Sequence, residues 1–148
     1  MHQPSRPAAE RHSVGAVSVQ LNHQIVHARD KKASAEFLAG ILGVEAGPPW
    51  GPFYPVALAN GVELDFTDVG DHPFTPGHYA FLVSEHEFDA IFGRIKDAGL
   101  EFRADPHGGG VGEINHHDGG RGVYWNDPDG HVLEIITRPY SRGLRGVE

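Results

Sequence analysis

A strand-then-helix unit occurs twice in this chain at nearly constant length, and that repeat constrains the fold more than any other feature. His23 opens the first copy and His78, 55 residues on, opens the second; His23 to Gly43 is 20 residues and His78 to Gly99 is 21. In the first copy residues 17–27 alternate, with Val17, Val19, Leu21 and Ile25 on one side and Ser18, Gln20, Asn22 and Gln24 on the other. Such alternation predicts a strand with its apolar side on the core, and His23 falls on that side. Asp30 is then placed as an N-cap, Phe37, Leu38, Ile41 and Leu42 follow at helical spacing, and Gly43 is a stop. Residues 56–59 and 62–67 flank Asn60-Gly61, a hairpin signal.

The second copy repeats the order. Residues 78–83 read as a strand, and Ser84 with Glu87 as a capping box. Phe88, Ile91, Phe92, Ile95 and Ala98 form a helical stripe closed by Gly99. Residues 122–126 and 131–137 form a last hairpin around Asp127-Pro128-Asp129-Gly130. The extra length of this copy lies in residues 105–120, a Gly- and His-rich loop read as a lid. Within it Gly108-Gly109-Gly110-Val111-Gly112 lacks the Lys-Ser/Thr of a phosphate loop. The expectation is an α+β fold of two βαβββ modules, about 17–68 and 76–138, forming an open, cup-like mixed sheet with helices outside. They occupy one domain, 16–140; residues 1–15, with His2 and His12, and 141–148 are read as tails.

Composition removes several classes of function. Acidic residues outnumber basic ones by 20 to 12 with no basic cluster, so nucleic acid is not an expected partner. No cysteine is present, which leaves nitrogen and oxygen as the only donors for a metal. Without an apolar run of membrane-spanning length or a leader-like start, the chain reads as cytoplasmic and not membrane-bound.

The residue that asks most directly for chemistry is Glu134. It sits in His131-Val132-Leu133-Glu134-Ile135-Ile136, between branched apolar residues. An unpaired buried carboxylate costs several kcal/mol, so a partner is expected. His23 and His78 occupy matching module positions and could face each other across a pseudo-twofold cleft. With Glu134 they make a two-histidine, one-carboxylate set, which suits Fe(II), Mn(II), Zn(II) or Ni(II) and leaves coordination positions open. Asp65 matches Glu134 by position, since Leu64-Asp65-Phe66 parallels Leu133-Glu134-Ile135, and is a possible fourth ligand. Glu63, two residues away, reads as exposed near the turn. His107, His116 and His131 read as solvent-facing or loop-stabilising.

Taken together, His23 seven residues before Asp30, His78 at the head of the second module, and the run from Asn126 through Asp127-Pro128-Asp129-Gly130 to Glu134 resemble the vicinal oxygen chelate superfamily. That group includes glyoxalases, fosfomycin- and bleomycin-resistance proteins, epimerases and type I extradiol dioxygenases. The resemblance covers roughly residues 20–138 and implies a metal-dependent enzyme, one divalent ion on His23, His78 and Glu134, a small substrate and a homodimer. Asn115-His116-His117, Val123-Tyr124, Asp127-Pro128 and Glu134 are similar to the extradiol ring-cleavage pattern. By that resemblance His117 is an acid/base near the substrate, Tyr124 hydrogen-bonds a substrate oxygen, and the ion is Fe(II). Two alternatives stay open: a glyoxalase-like lyase, isomerase or epimerase with Asp65 as fourth ligand, and a drug-binding resistance protein of the same fold.

Overall fold

A computed structural model describes residues 18–140; the stretches read as tails, and Val17 of the expected first strand, lie outside them. The first module contains β1 (His23–Ala28), α1 (Lys31–Leu42), β2 (Phe53–Ala57) and β3 (Glu63–Asp68). The second contains β4 (His78–Leu82), α2 (Glu85–Asp97), β5 (Phe102–Arg103), β6 (Gly122–Asn126) and β7 (Val132–Ile136). Two mixed sheets result, ordered β1-β3-β2 and β4-β7-β6-β5, with no closed barrel among the described residues.

The repeat extends to residue register. β1 runs parallel to β3 with His23 opposite Glu63 and Ile25 opposite Asp65, while β4 runs parallel to β7 with His78 opposite Val132 and Ala80 opposite Glu134. Asp65 and Glu134 therefore hold the same place. Their antiparallel neighbours agree: Pro55 faces Asp65 and Tyr124 faces Glu134. Even β5 has a remnant in the first module. The single bridge Ala46–Val56 stands where Phe102 pairs with Trp125.

The two helices are stabilised by different means. In α2 the Ser84–Glu87 capping box forms in both directions, Glu85 and Glu87 lie in the first turn, and Arg94 and Lys96 in the last, all complementing the helix dipole. α1 has its Asp30 cap on the Ala33 N–H and Gly43 in the left-handed conformation, but no acidic residue in its first turn and no basic one in its last. Asp68 of β3 accepts from the Lys31 N–H at 2.7 Å, and the second module adds charge at both ends. Asp129, from the Asp-Pro-Asp-Gly turn, accepts from the Arg29 N–H at 3.2 Å and the Ser34 hydroxyl at 2.9 Å. Arg94 of α2 donates to the Ile41 carbonyl at 3.1 Å. A Cβ on Gly43 would lie 2.7 Å from that guanidinium and push it aside, while the φ of 77° favours glycine in its own right.

Both modules contribute to one core, with Leu38, Val26 and Val56 from the first and Trp125, Phe88, Ile95, Val123 and Ile135 from the second. Burying each large aliphatic or phenyl side chain contributes about 1.5–3 kcal/mol. His131, expected at the surface or in a loop-stabilising role, takes the second without the first. It is buried, donates from Nε2 to the His27 carbonyl at 2.7 Å and accepts from the Gly77 N–H at Nδ1. It thereby ties β1 to the strand pair of the other module.

One expectation is overturned. The first strand begins at His23 instead of residue 17, and its core side is Val26 and Ala28; Val19, Leu21 and Ile25 are exposed, as is His23. Alternation identifies two unlike faces, and it is packing of α1 on the opposite face that selects the core.

Candidate metal centre

Glu134 is 1% exposed, the most enclosed carboxylate among the described residues. Its Oε1 lies 3.1 Å from Nε2 of His78, and its Oε2 accepts from the hydroxyl of Tyr140. His78 Nδ1 lies 3.1 Å from the Val132 carbonyl. Both ring nitrogens of His78 therefore face acceptors, while a neutral imidazole has one N–H. A further proton between Nε2 and Oε1, or a metal ion held by both, satisfies the pair. Nδ1–H on a backbone carbonyl is the arrangement that leaves Nε2 as the donor atom toward a metal. The donor set and the enclosed carboxylate both fit a divalent ion.

Two tyrosines close this half of the site. Tyr124 is buried, stands opposite Glu134 in the β6–β7 register, and stacks on His78 with centroids 5.9 Å apart. Its hydroxyl is 3.1 Å from that of Tyr140. Burial first, then the Tyr140 hydrogen bond and the nearby Glu134 carboxylate, push the Tyr124 phenol far above its ordinary range, so it stays protonated. Since the single proton of Tyr140 goes to Glu134, Tyr124 is the donor to Tyr140. The role expected for Tyr124, a hydrogen bond to a substrate oxygen, thus requires it to exchange partners.

His117 begins a short 3-10 turn, His117–Gly119, at the rim; it is exposed and its ring meets Tyr140 edge-on at 6.3 Å. Asn115 fixes this turn: it is buried, accepts from the His117 N–H, and donates to the Ala104 carbonyl at 2.9 Å. A Cβ on Gly122 would lie 2.7 Å from the Asn115 side-chain oxygen. On the far side of the turn, Arg121 anchors to α2 through Glu85 at 2.7 Å and Asp89 at 2.8 Å, and covers the Phe88 ring at 4.3 Å. The glycine-rich stretch folds back on β5 through Ala104 to Gly110 and Gly112 to Phe102 backbone bonds.

His23 lies elsewhere. It belongs to the other sheet, where it hydrogen-bonds Asn22 at 2.8 Å and lines a cleft of about 600 Å³ together with Glu63, Asp65, Pro55, Phe53 and Trp50. Among the described residues no three His, Asp or Glu side chains of the single chain form a metal-holding group. The expected trio is thus brought together only in part, as His78 with Glu134. His23 stands on β1 of the three-stranded sheet and His78 on β4 of the four-stranded one. In the cleft Asp65 is buried and its Oδ1 has no hydrogen-bond partner. Glu63 is half-buried, not exposed; a hydrogen bond with Asp65, burial and the Asp65 charge raise its pKa, and His23 opposes this. Trp50 and Phe53 stack nearly parallel, 6.2 Å apart, along the cleft.

Sequence reasoning did not single out Tyr140 or Asn115. Tyr140 stands beyond Pro139, outside any periodic segment, and carries no local signal. Asn115 was part of the extradiol-like pattern only as a neighbour of His117.

The profile described as Glyoxalase/Bleomycin resistance protein/Dioxygenase superfamily matches residues 19–135. The structure of oxidase ChaP-H2 is 63% identical, superposes with a TM-score of 0.81, and covers 84% of this chain and 97% of that one. Metallothiol transferase FosB of Shouchella clausii (strain KSM-K16) is 37% identical over 71 residues, which is 48% of this chain and 44% of FosB, under half its length. Glutathione transferase FosA of Serratia marcescens is 27% identical over 122 residues, 78% of each chain. No helix among the described residues is long and apolar enough to cross a membrane.

Proposed function

The chain belongs to the Glyoxalase/Bleomycin resistance protein/Dioxygenase superfamily, and from that premise we propose that it is a metal-dependent oxidase of the extradiol-dioxygenase type. Its substrate is a small catecholic or related molecule that chelates through neighbouring oxygens. The observation that carries this reading is the His78–Glu134 pair, an imidazole and an enclosed carboxylate whose facing Nε2 and Oε1 suit a divalent ion. Identity of 63% with an oxidase over 97% of its length supports oxidation over the thiol transfer named for the more distant FosA and FosB.

His78 and Glu134 hold the ion, and His23 of a second copy of the chain completes the set. Exposed Val19, Leu21 and Ile25 next to His23 give an apolar surface for that copy to cover. A twofold contact of this kind is reciprocal and generates two equivalent sites. A bound Fe(II) supplies Lewis acidity and one-electron redox chemistry, with Zn(II), Ni(II) or Mn(II) accepted by the same donors. The stacked Trp50–Phe53 wall offers a flat apolar face to an aromatic ring. His117, exposed at the rim, takes the proton from a substrate hydroxyl, and buried Tyr124 and the enclosed Glu134 limit access of water.

A second reading is favoured by one observation, the unpartnered buried Oδ1 of Asp65 at the register position of Glu134. With Asp65 as a fourth ligand the site suits a glyoxalase-like lyase or isomerase. Oxygen-electrode assays with catechols after anaerobic Fe(II) loading separate the two. Oxygen uptake is the expected result; turnover of hemithioacetals without uptake overturns it.

A further inference from the structure

Glu134, Tyr124 and His117 come from three separate stretches of the chain, yet all three meet Tyr140. Its hydroxyl donates to Glu134 Oε2, its oxygen accepts from Tyr124 at 3.1 Å, and its ring contacts the His117 ring edge-on at 6.3 Å. The two oxygens of Glu134 are thereby made unlike. Oε2 is committed to a phenol, while Oε1 alone lies beside Nε2 of His78, 3.1 Å away. A carboxylate free to rotate offers both oxygens to a cation and closes an additional coordination position; one hydrogen-bonded at Oε2 offers a single oxygen.

We propose that Tyr140 is the positioning residue of the metal centre: it holds Glu134 so that only Oε1 faces the His78 side, and so keeps a coordination position open for substrate. The inference rests on the metal-centre reading above and deepens it. Two further features support it. Tyr124, buried and fixed by its place opposite Glu134 on β6, donates to the Tyr140 oxygen and so locks the phenol against rotation away. Glu134 is 1% exposed, so solvent competes little with the phenol for Oε2. Groups that hold a ligand in orientation typically account for about 10–100-fold in metal affinity.

The test uses the full chain, with Co(II) as the probe because its visible absorption reports coordination number. Tyr140→Phe keeps the ring that meets His117 and removes only the hydroxyl. Weaker Co(II) binding by about 10-fold or more, with a visible spectrum shifted toward higher coordination number, is the expected result. Tyr124→Phe, which removes the lock and leaves the Tyr140 hydroxyl, shifts both in the same direction by less. An affinity within twofold of wild type and an unchanged spectrum for Tyr140→Phe overturn the inference. If wild type itself binds no Co(II), the metal-centre reading falls first, and a Glu134→Gln control indistinguishable from wild type identifies that outcome.

Discussion

The two modules place a histidine and a carboxylate at identical register positions and make different things of them. In the second, Glu134 reaches back along β7 to His78, which stands opposite a residue two positions earlier. That offset is about 6.6 Å along the strand, within reach of a glutamate side chain. In the first, Asp65 is one methylene shorter, no hydrogen bond joins it to His23, and Oδ1 is left without a partner. The neighbours differ accordingly. Tyr124 faces Glu134 where Pro55 faces Asp65, and Val132 precedes it where Glu63 precedes Asp65. One half is enclosed and paired, while the other is an open acidic cleft with an exposed imidazole. On the function proposed above, the duplicated framework gives one half that would hold the cation and one that would contribute His23 and cleft walls to a site shared between copies.

That contrast is open to test. Its largest expected effect is on metal affinity: Glu134→Gln lowers it by more than about 100-fold, beyond the loss typical of a supporting group, whereas Asp65→Asn lowers it less than tenfold. Titration calorimetry with Fe(II) or Mn(II) under anaerobic conditions checks both. Equal losses would mean that the halves act alike and would favour the four-ligand reading.

Sharing between copies gives the next effect. His23→Ala and Glu134→Gln are each inactive alone, but mixed and reassorted they recover about a quarter of wild-type activity, because half the dimers are mixed and each has one intact site. Failure to recover any activity, with mixed dimers shown by mass spectrometry, would place His23 outside the centre.

Smaller effects probe the helices. Asp129→Ala removes the charge that the second module lends to the start of α1 and lowers stability by about 2 kcal/mol in urea unfolding. Ser84→Ala breaks a cap wholly internal to its own module and costs about 1 kcal/mol. If Asp129→Ala were the milder of the two, α1 would not depend on its neighbour in the way described.

Local features were legible in the sequence because short-range physics fixes them. The Asp30 and Ser84 caps, the Gly43 stop and the final hairpin each depend on residues within a few positions, and each forms as read. Glu134 was also legible, since a carboxylate among branched apolar residues on a central strand has few alternatives to burial. The face of β1 was not, because its exposed side, with Val19, Leu21 and Ile25, is as apolar in sequence as its core side. Neither was Tyr140, whose contacts arise from where the chain turns after Pro139.

Periodicity, capping and the repeated spacing of His23 and His78 determined by themselves two modules of known order and which residues to consider as metal ligands. Tertiary structure alone decided which of those residues meet. Distances within an element follow from backbone geometry, but the approach of Glu134 to His78, and of Asp129 and Arg94 to the ends of α1, depends on how sheets and helices pack, and no local pattern encodes that.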